Sequence, residues 1–228
     1  MKTLLKRMFA SAGYRMERIP RDVPSGRDLA HDLAIVFQGR RGAVCVDVGA
    51  HDGKFTELLL TTLDAPVVHA FEPAPEPFAR LHRRYATTPG VKPVNAGLSD
   101  QSGRLAFNVY DNQALNSFLP LTQKKDHAFG NPALLRRSEV NVLRLDDYAA
   151  EMKLAEIDLL KIDTQGFELH VLRGASHLLA AGRVRAVLVE LSFTPLYAGQ
   201  VWAHELMACL FGHNLHLVDF YEKCRLAP

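Results

Sequence analysis

The chain predicts an α/β fold, a mainly parallel sheet with helices on both faces. Three observations predict it. From Val44 onward, apolar runs of strand length alternate with segments of helical period. Two successive runs, Val44–Val48 and Val67–Phe71, carry acids at their ends, Asp47 in the first and Glu72 just past the second. Between them lies Gly49-Ala50-His51-Asp52-Gly53, a glycine turn of the kind that lets backbone approach a ligand beyond the carboxyl end of a parallel strand.

The elements follow in order. Residues 2–16 read as a basic amphipathic helix, with Leu4, Leu5, Met8, Phe9 and Ala12 on one side. Two prolines and a glycine make residues 20–27 a connection, and Asp28–Phe37 reads as a helix leading into the first strand. Core strands are expected at 43–48, 67–71, 91–95, 157–162, 185–191 and near 215–220. Helices are expected at 54–63, 75–86, 145–151, 167–180 and 202–211. Gly103–Tyr110 and Glu139–Leu143 interrupt this alternation as further strands, so 97–143 is read as an inserted β-hairpin and loop over the carboxyl edge of the sheet. The expected division is an N-terminal helical extension, 1–42, followed by one domain, 43–228.

Composition narrows the classes. A chain of 228 residues with 48% hydrophobic and 23% charged residues is globular. A net charge of +2 argues against a dedicated nucleic-acid binder. Lys2, Lys6, Arg7, Arg15, Arg18 and Arg21 stand against Glu17 alone in the first 21 residues, leaving 21 basic and 24 acidic residues in a slightly acidic body. The basic segment 2–16 is therefore the candidate for peripheral contact with an anionic membrane face. Cys45, Cys209 and Cys224 form no C-x-x-C pair, which fits a reducing, cytoplasmic setting and suggests no disulfide framework or zinc knuckle. No run reaches the roughly 18 apolar residues of a spanning helix. Ten histidines are scattered without metal-ligand spacing, so no metal site is expected. Neither a G-x-S-x-G elbow nor a P-loop occurs, which weakens hydrolase and kinase readings.

The paired acids around the glycine turn suit a cofactor containing adenosine, with Glu72 on the ribose diol. A dinucleotide would want G-x-G-x-x-G for its pyrophosphate, whereas only Gly49 and Gly53 are present, with His51 between them. S-adenosylmethionine carries no pyrophosphate, and Asp47 could hold its ammonium directly or through water. Asn95, ending the third strand, could touch adenine or ribose, or satisfy its own turn. The fourth core strand ends on Lys161 and Asp163, two apart and therefore on one face, before the turn Thr164-Gln165-Gly166. Asp163 could position a hydroxyl or accept its proton, or cap the following helix. Lys161 could assist it or form a purely structural pair. Glu190 ends the fifth strand in the same position, where it could line the substrate pocket or meet Lys161.

Laid out in this way, the chain resembles the FkbM family of S-adenosylmethionine-dependent methyltransferases, which have a Rossmann-like class I fold. The resemblance runs from about Val44 to Tyr197. It rests on Val46-Asp47-Val48-Gly49-Ala50 with Gly53, Phe71-Glu72-Pro73, Asn95-Ala96-Gly97-Leu98-Ser99-Asp100 with Gly103, and Leu145-Asp146-Asp147-Tyr148. Most specific is Leu160-Lys161-Ile162-Asp163-Thr164-Gln165-Gly166 with Glu168, followed by Leu172-Arg173-Gly174-Ala175 and Val189-Glu190. The resemblance implies methyl transfer to a hydroxyl oxygen of a polyketide-type small molecule or a sugar of a glycan. It also implies that Asp47, Gly49, Gly53 and Glu72 serve the cofactor and that Asp163 faces the reaction centre. His51 stands where many relatives carry asparagine. Ser117, with Gln165 and Glu190, is expected on the substrate side. Two rivals remain at this point: an NAD-dependent oxidoreductase, and a non-catalytic cofactor-binding module at a membrane surface.

Overall fold

The computed structural model describes residues 26–122 and 132–221. The basic segment 2–16 and Cys224 lie outside the described residues. In chain order the strands are β1 (Val44–Val48), β2 (Val67–Phe71), β3 (Val91–Val94), β4 (Gly97–Leu98), β5 (Gly103–Tyr110), β6 (Leu134–Leu143), β7 (Ile157–Ile162) and β8 (Val184–Val189). The helices are α1 (Leu29–Val36), α2 (Lys54–Thr62), α3 (Pro75–Tyr85), α4 (Leu145–Glu151), α5 (Glu168–Gly174), α6 (Ser176–Ala180) and α7 (Ala203–Gly212).

Five strands form a wholly parallel sheet in the order β3-β2-β1-β7-β8. The chain runs outward from β1 through β2 to β3, then returns to lay β7 on the other side of β1. That reversal makes the carboxyl ends of β1 and β7 a topological switch point, where open α/β sheets bind ligands. Alternation along each strand sorts the core into two faces. Val46, Leu160 and Ile162 pack with Tyr148, Leu172, Leu178 and Leu206 on one face. Cys45, Val68 and Leu159 pack with Leu33 and Phe37 of the first helical region and with Leu59 and Leu63 on the other. The helix over 29–36 thus contributes to the sheet's own core. Among the described residues, no helix is long and apolar enough to cross a membrane.

The segment over 97–143 forms its own three-stranded sheet, β4-β6-β5, with β5 and β6 antiparallel from Gly103↔Val142 to Tyr110↔Leu134. Its second long strand begins at Leu134, five residues before the expected start, because the ladder to β5 continues past the apolar stretch. Phe107, Val109 and Val140 pack with Ala74 and Phe118, so this sheet leans on the turn after β2.

Two expectations are corrected. The helix over 167–180 is two helices that meet at Ala175. Asp146 accepts from the backbone N–H of His177 and Leu178, both at 3.0 Å, and so caps α6 from outside the helix. The sixth strand near 215–220 does not form. The segment joins no ladder, and Leu217 and Val218 are exposed. Its end is drawn elsewhere: the Tyr221 hydroxyl donates to Asp32 at 2.8 Å, which ties the segment to α1.

Candidate functional site

Parallel register brings the acids together. Each acidic residue stands just past the last residue of its strand, and its N–H continues the ladder to the neighbouring strand. Glu72 donates to Val94 O, Asp163 to Val48 O and Glu190 to Ile162 O, each at 3.1 Å. Asp47 lies two residues deeper, within β1 and opposite Lys161. Beside these tips is a cavity of about 230 Å³ lined by Gly49, His51, Glu72, Asp163 and Gln165 from the sheet side. Leu98, Phe107, Gln113, Asn116 and Phe118 line it from the insertion.

Gly49 explains the closeness of the wall. Its φ is +76°, and a methyl group on it would lie 1.9 Å from the Asp163 carbonyl oxygen. Only glycine lets the β1 loop pass this close to the β7 tip. Gly53 has another task. Its φ is +84°, a methyl there would strike the Tyr85 ring at 2.4 Å, and the Tyr85 hydroxyl donates to its carbonyl at 3.0 Å. Gly53 therefore packs α2 against α3 and does not line the cavity.

Glu72 is buried and organises the turn around it. One carboxyl oxygen accepts from the N–H of His51 at 2.9 Å, the other from Ala74 at 2.8 Å. Burial pushes its pKa up to about 7, against the opposing pull of those two backbone donors. Each oxygen retains acceptor capacity toward the cavity. Asn95 is exposed and does not line the cavity. Its amide donates to the carbonyl of Glu72 at 2.9 Å, holding the β2 tip from behind. His51 adopts φ +51° and Gln165 φ +55°. Two non-glycine residues held in the left-handed region on one cavity wall are the kind of strain that collects at functional sites. His51 Nε2 is also buried without a hydrogen-bond partner.

Asp47 and Lys161 are placed differently from expectation. Asp47 is fully buried, bonded to the Thr56 hydroxyl at 2.8 Å and ion-paired with Lys161 at 3.1 Å. The Lys161 ammonium also donates to the carbonyls of Val48 at 3.2 Å and Gly49 at 3.0 Å. The ammonium thus donates to two carbonyls and pairs electrostatically with Asp47, and the Asp163 carboxylate stands 3.7 Å from it. Burial would lower the lysine pKa, yet the charges of Asp47 and then Asp163 outweigh it and raise the pKa. The pair holds the glycine loop from beneath, and neither side chain lines the cavity.

The turn after β7 is equally determined. Glu168, buried, accepts from the N–H of Thr164 and of Gly166, both at 3.0 Å, and from the Thr164 hydroxyl at 3.1 Å. Burial raises its pKa in spite of these donors. The Gln165 amide then donates to Asp163 at 2.8 Å and to Glu190 at 3.1 Å. Glu190 sits behind Gln165, outside the cavity lining. Desolvation by packed neighbours and the negative charge of Asp163 raise its pKa; because the residue is exposed as a whole, the second cause carries the greater weight. Ser117 is fully buried and lines nothing. Its hydroxyl donates to the Gln165 carbonyl at 2.7 Å and accepts from Leu119 N–H at 3.0 Å, pinning the insertion to the sheet.

Sequence reasoning missed Thr56, whose signal was a small hydroxyl in the first turn after the glycine loop. It missed Tyr197, and it missed Phe107, Gln113 and Asn116, whose orientation depends on how the insertion docks. Among the described residues, no cluster of His, Cys, Asp or Glu has the arrangement of a metal site.

Residues 47–223 match the family model described as the methyltransferase FkbM domain. The chain is 29% identical over 189 residues to the 2-O-methyltransferase NoeI of Sinorhizobium fredii, covering 78% of this chain and 75% of that protein. It is 31% identical over 202 residues to the 31-O-demethyl-FK506 methyltransferase FkbM of Streptomyces tacrolimicus, with the same coverage of 78% and 75%. The crystal structure of the methyltransferase FkbM from Methylobacillus flagellatus KT aligns with a TM-score of 0.42 at 18% identity. That alignment covers 64% of this chain and 32% of the other.

Proposed function

Because the chain belongs to the methyltransferase FkbM domain family, we propose that it transfers the methyl group of S-adenosylmethionine to a hydroxyl oxygen of a small-molecule or glycan acceptor. One observation carries the choice of cofactor. Among the described residues, the ionisable side chains lining the cavity are Glu72, Asp163 and His51, with no lysine or arginine, and the Lys161 ammonium beneath the glycine loop is engaged by Asp47 and two carbonyls. Such a cavity favours a cationic ligand and opposes the diphosphate of a dinucleotide. The orphaned His51 Nε2 and the spare acceptor capacity of Glu72 fit a polar ligand at the same place. Oxygen as the accepting atom is supported by the two relatives, whose names place their methyl groups at O positions.

When bound, S-adenosylmethionine supplies an electrophilic methyl group on a sulfonium. Glu72 would hold the ribose hydroxyls, with the loop Gly49–His51 against the methionine portion. Asp47 supports that loop through Lys161 and does not itself reach the cavity. Asp163 orients the acceptor hydroxyl and takes up its proton, its carboxylate fixed from one side by Gln165 and balanced by Lys161 at 3.7 Å. Leu98, Phe107 and Phe118 exclude water from the opposite wall.

Isothermal titration with S-adenosylhomocysteine, run beside NAD, tests this reading. Micromolar binding of the first alone supports it, and binding of NAD alone overturns it. Asp163→Asn is expected to lower methyl turnover by about 100-fold or more with S-adenosylhomocysteine affinity unchanged. Equal loss of both would remove Asp163 from the chemical step.

A further inference from the structure

We propose that Tyr197 is a positioning residue, which acts through the Gln165 amide to set the arrangement of the Asp163 and Glu190 carboxylates. The inference rests on the reading above in one respect, that Asp163 faces the acceptor.

Tyr197 lies in the segment after β8, 32 residues from Gln165, and is 1% exposed. Its hydroxyl stands 3.1 Å from Gln165 Oε1 and 3.1 Å from the carbonyl of Leu115, in the short helical turn Gln113–Leu115 at the cavity wall. The single hydroxyl proton is shared between these acceptors. A primary amide has two faces, and its orientation decides which of them meets the carboxylates. With Oε1 turned to Tyr197, both N–H bonds of Gln165 are directed at acids, one at Asp163 (2.8 Å) and one at Glu190 (3.1 Å). A half-turn of the amide would aim an oxygen at two carboxylates. The two acids thus fix which face of the amide they meet, and the tyrosine hydroxyl, donating to Oε1 from the far side, holds the amide where both N–H bonds reach them, while the Ser117 hydroxyl braces the left-handed backbone at Gln165 through its carbonyl.

The surrounding chain keeps Tyr197 in place. Leu121 bridges Tyr197, Thr122 N–H donates to Leu196 O at 2.8 Å, and Ala198 N–H donates to Pro120 O at 2.8 Å. Gln200 Oε1 accepts from the N–H of Leu196 and of Tyr197, at 2.8 and 3.2 Å. The same hydroxyl therefore joins the insertion, the segment after β8 and the carboxylate pair. The charged and titratable groups facing Glu190 are Asp163, Glu168 and Lys161, with Tyr197 itself beside them. Two close carboxylates repel, so an N–H donated to each stabilises the doubly ionised form. Removing the donor should shift the titration of Glu190 upward.

The test is a carboxyl carbon NMR titration of the full chain, labelled at aspartate and glutamate, which needs neither cofactor nor acceptor. The variants are Tyr197→Phe, Gln165→Leu and the double variant. Tyr197→Phe keeps the buried ring and removes only the hydroxyl. It is expected to raise the midpoint of Glu190 by up to about one pH unit, the size of a neutral hydrogen bond. Gln165→Leu should do the same or more, and adding Tyr197→Phe to it should change nothing further. No shift in Gln165→Leu, a shift in Gln165→Leu but none in Tyr197→Phe, or additive shifts in the double variant would each overturn the proposal. Titration with S-adenosylhomocysteine is read separately, so failure of the methyltransferase reading and failure of this inference remain distinguishable.

Discussion

Lys161 is the residue whose place most changes the chemical picture. Its two-residue spacing from Asp163 predicts a pair on one face, yet its closer partner is Asp47, directly opposite on β1. A charge so buried is sustained by its partner, and removing one partner leaves the other uncompensated. Lys161→Met is expected to cost about 3–5 kcal/mol in urea unfolding. Asp47→Asn added to it should recover part of that loss. Glu72 makes a second residue-level prediction, with a definite sign. Its folded pKa of about 7 stands above the ordinary 4.5, so the folded state binds the proton more tightly. Its contribution to stability is full below about 4.5 and is lost as pH rises to about 7. Urea midpoints of the ligand-free protein should therefore fall across that window in a part that Glu72→Gln abolishes. An identical slope in the variant would contradict the assignment.

Between residue and domain, individual elements are started and stopped by groups outside themselves. The helix α6 has five residues, too few to persist alone, and its first N–H groups are taken by Asp146 of α4. Arg144 steadies the same carboxylate at 3.2 Å. Asp146→Ala is expected to cost about 1–2 kcal/mol, with faster amide exchange confined to α6 and the end of α5. In the sequence this stretch shows one continuous helical period, and nothing local marks the break at Ala175. The unformed strand near 215–220 has the same origin. Alternation supplies strand propensity, but a strand exists only where a ladder accepts it. Here Tyr221 and Asp32 take the chain another way.

At the scale of the molecule, the cavity exists because two sheets meet. The parallel sheet supplies Gly49, Glu72 and Asp163, and the insertion supplies Phe107, Asn116 and Phe118. Ser117 fastens one to the other through the Gln165 carbonyl. Ser117→Ala leaves that carbonyl and the Leu119 N–H without their buried partner, an expected cost of about 1–3 kcal/mol. Hydrogen exchange should quicken over 107–119 while β1, β2 and β7 stay protected. Uniform quickening across both sheets would mean that the insertion does not open as a unit.

Local sequence pattern specifies the parallel sheet, the order in which its strands are made, and the acids near their tips. Those features are written in short-range patterns: apolar runs of strand length, glycine turns, and an acid at or beside the carboxyl ends of β1, β2, β7 and β8. The cavity residues Gly49, His51, Glu72, Asp163 and Gln165 were legible for that reason. The partner of each polar group is set instead by long-range packing. Asp47 became the partner of Lys161, Asn95 and Gly53 became supports, Ser117 became a pin, and Tyr197 entered from 32 residues beyond Gln165. A buried polar atom takes whichever partner packing brings within about 3 Å, and contacts between distant parts of the chain leave no period in the sequence.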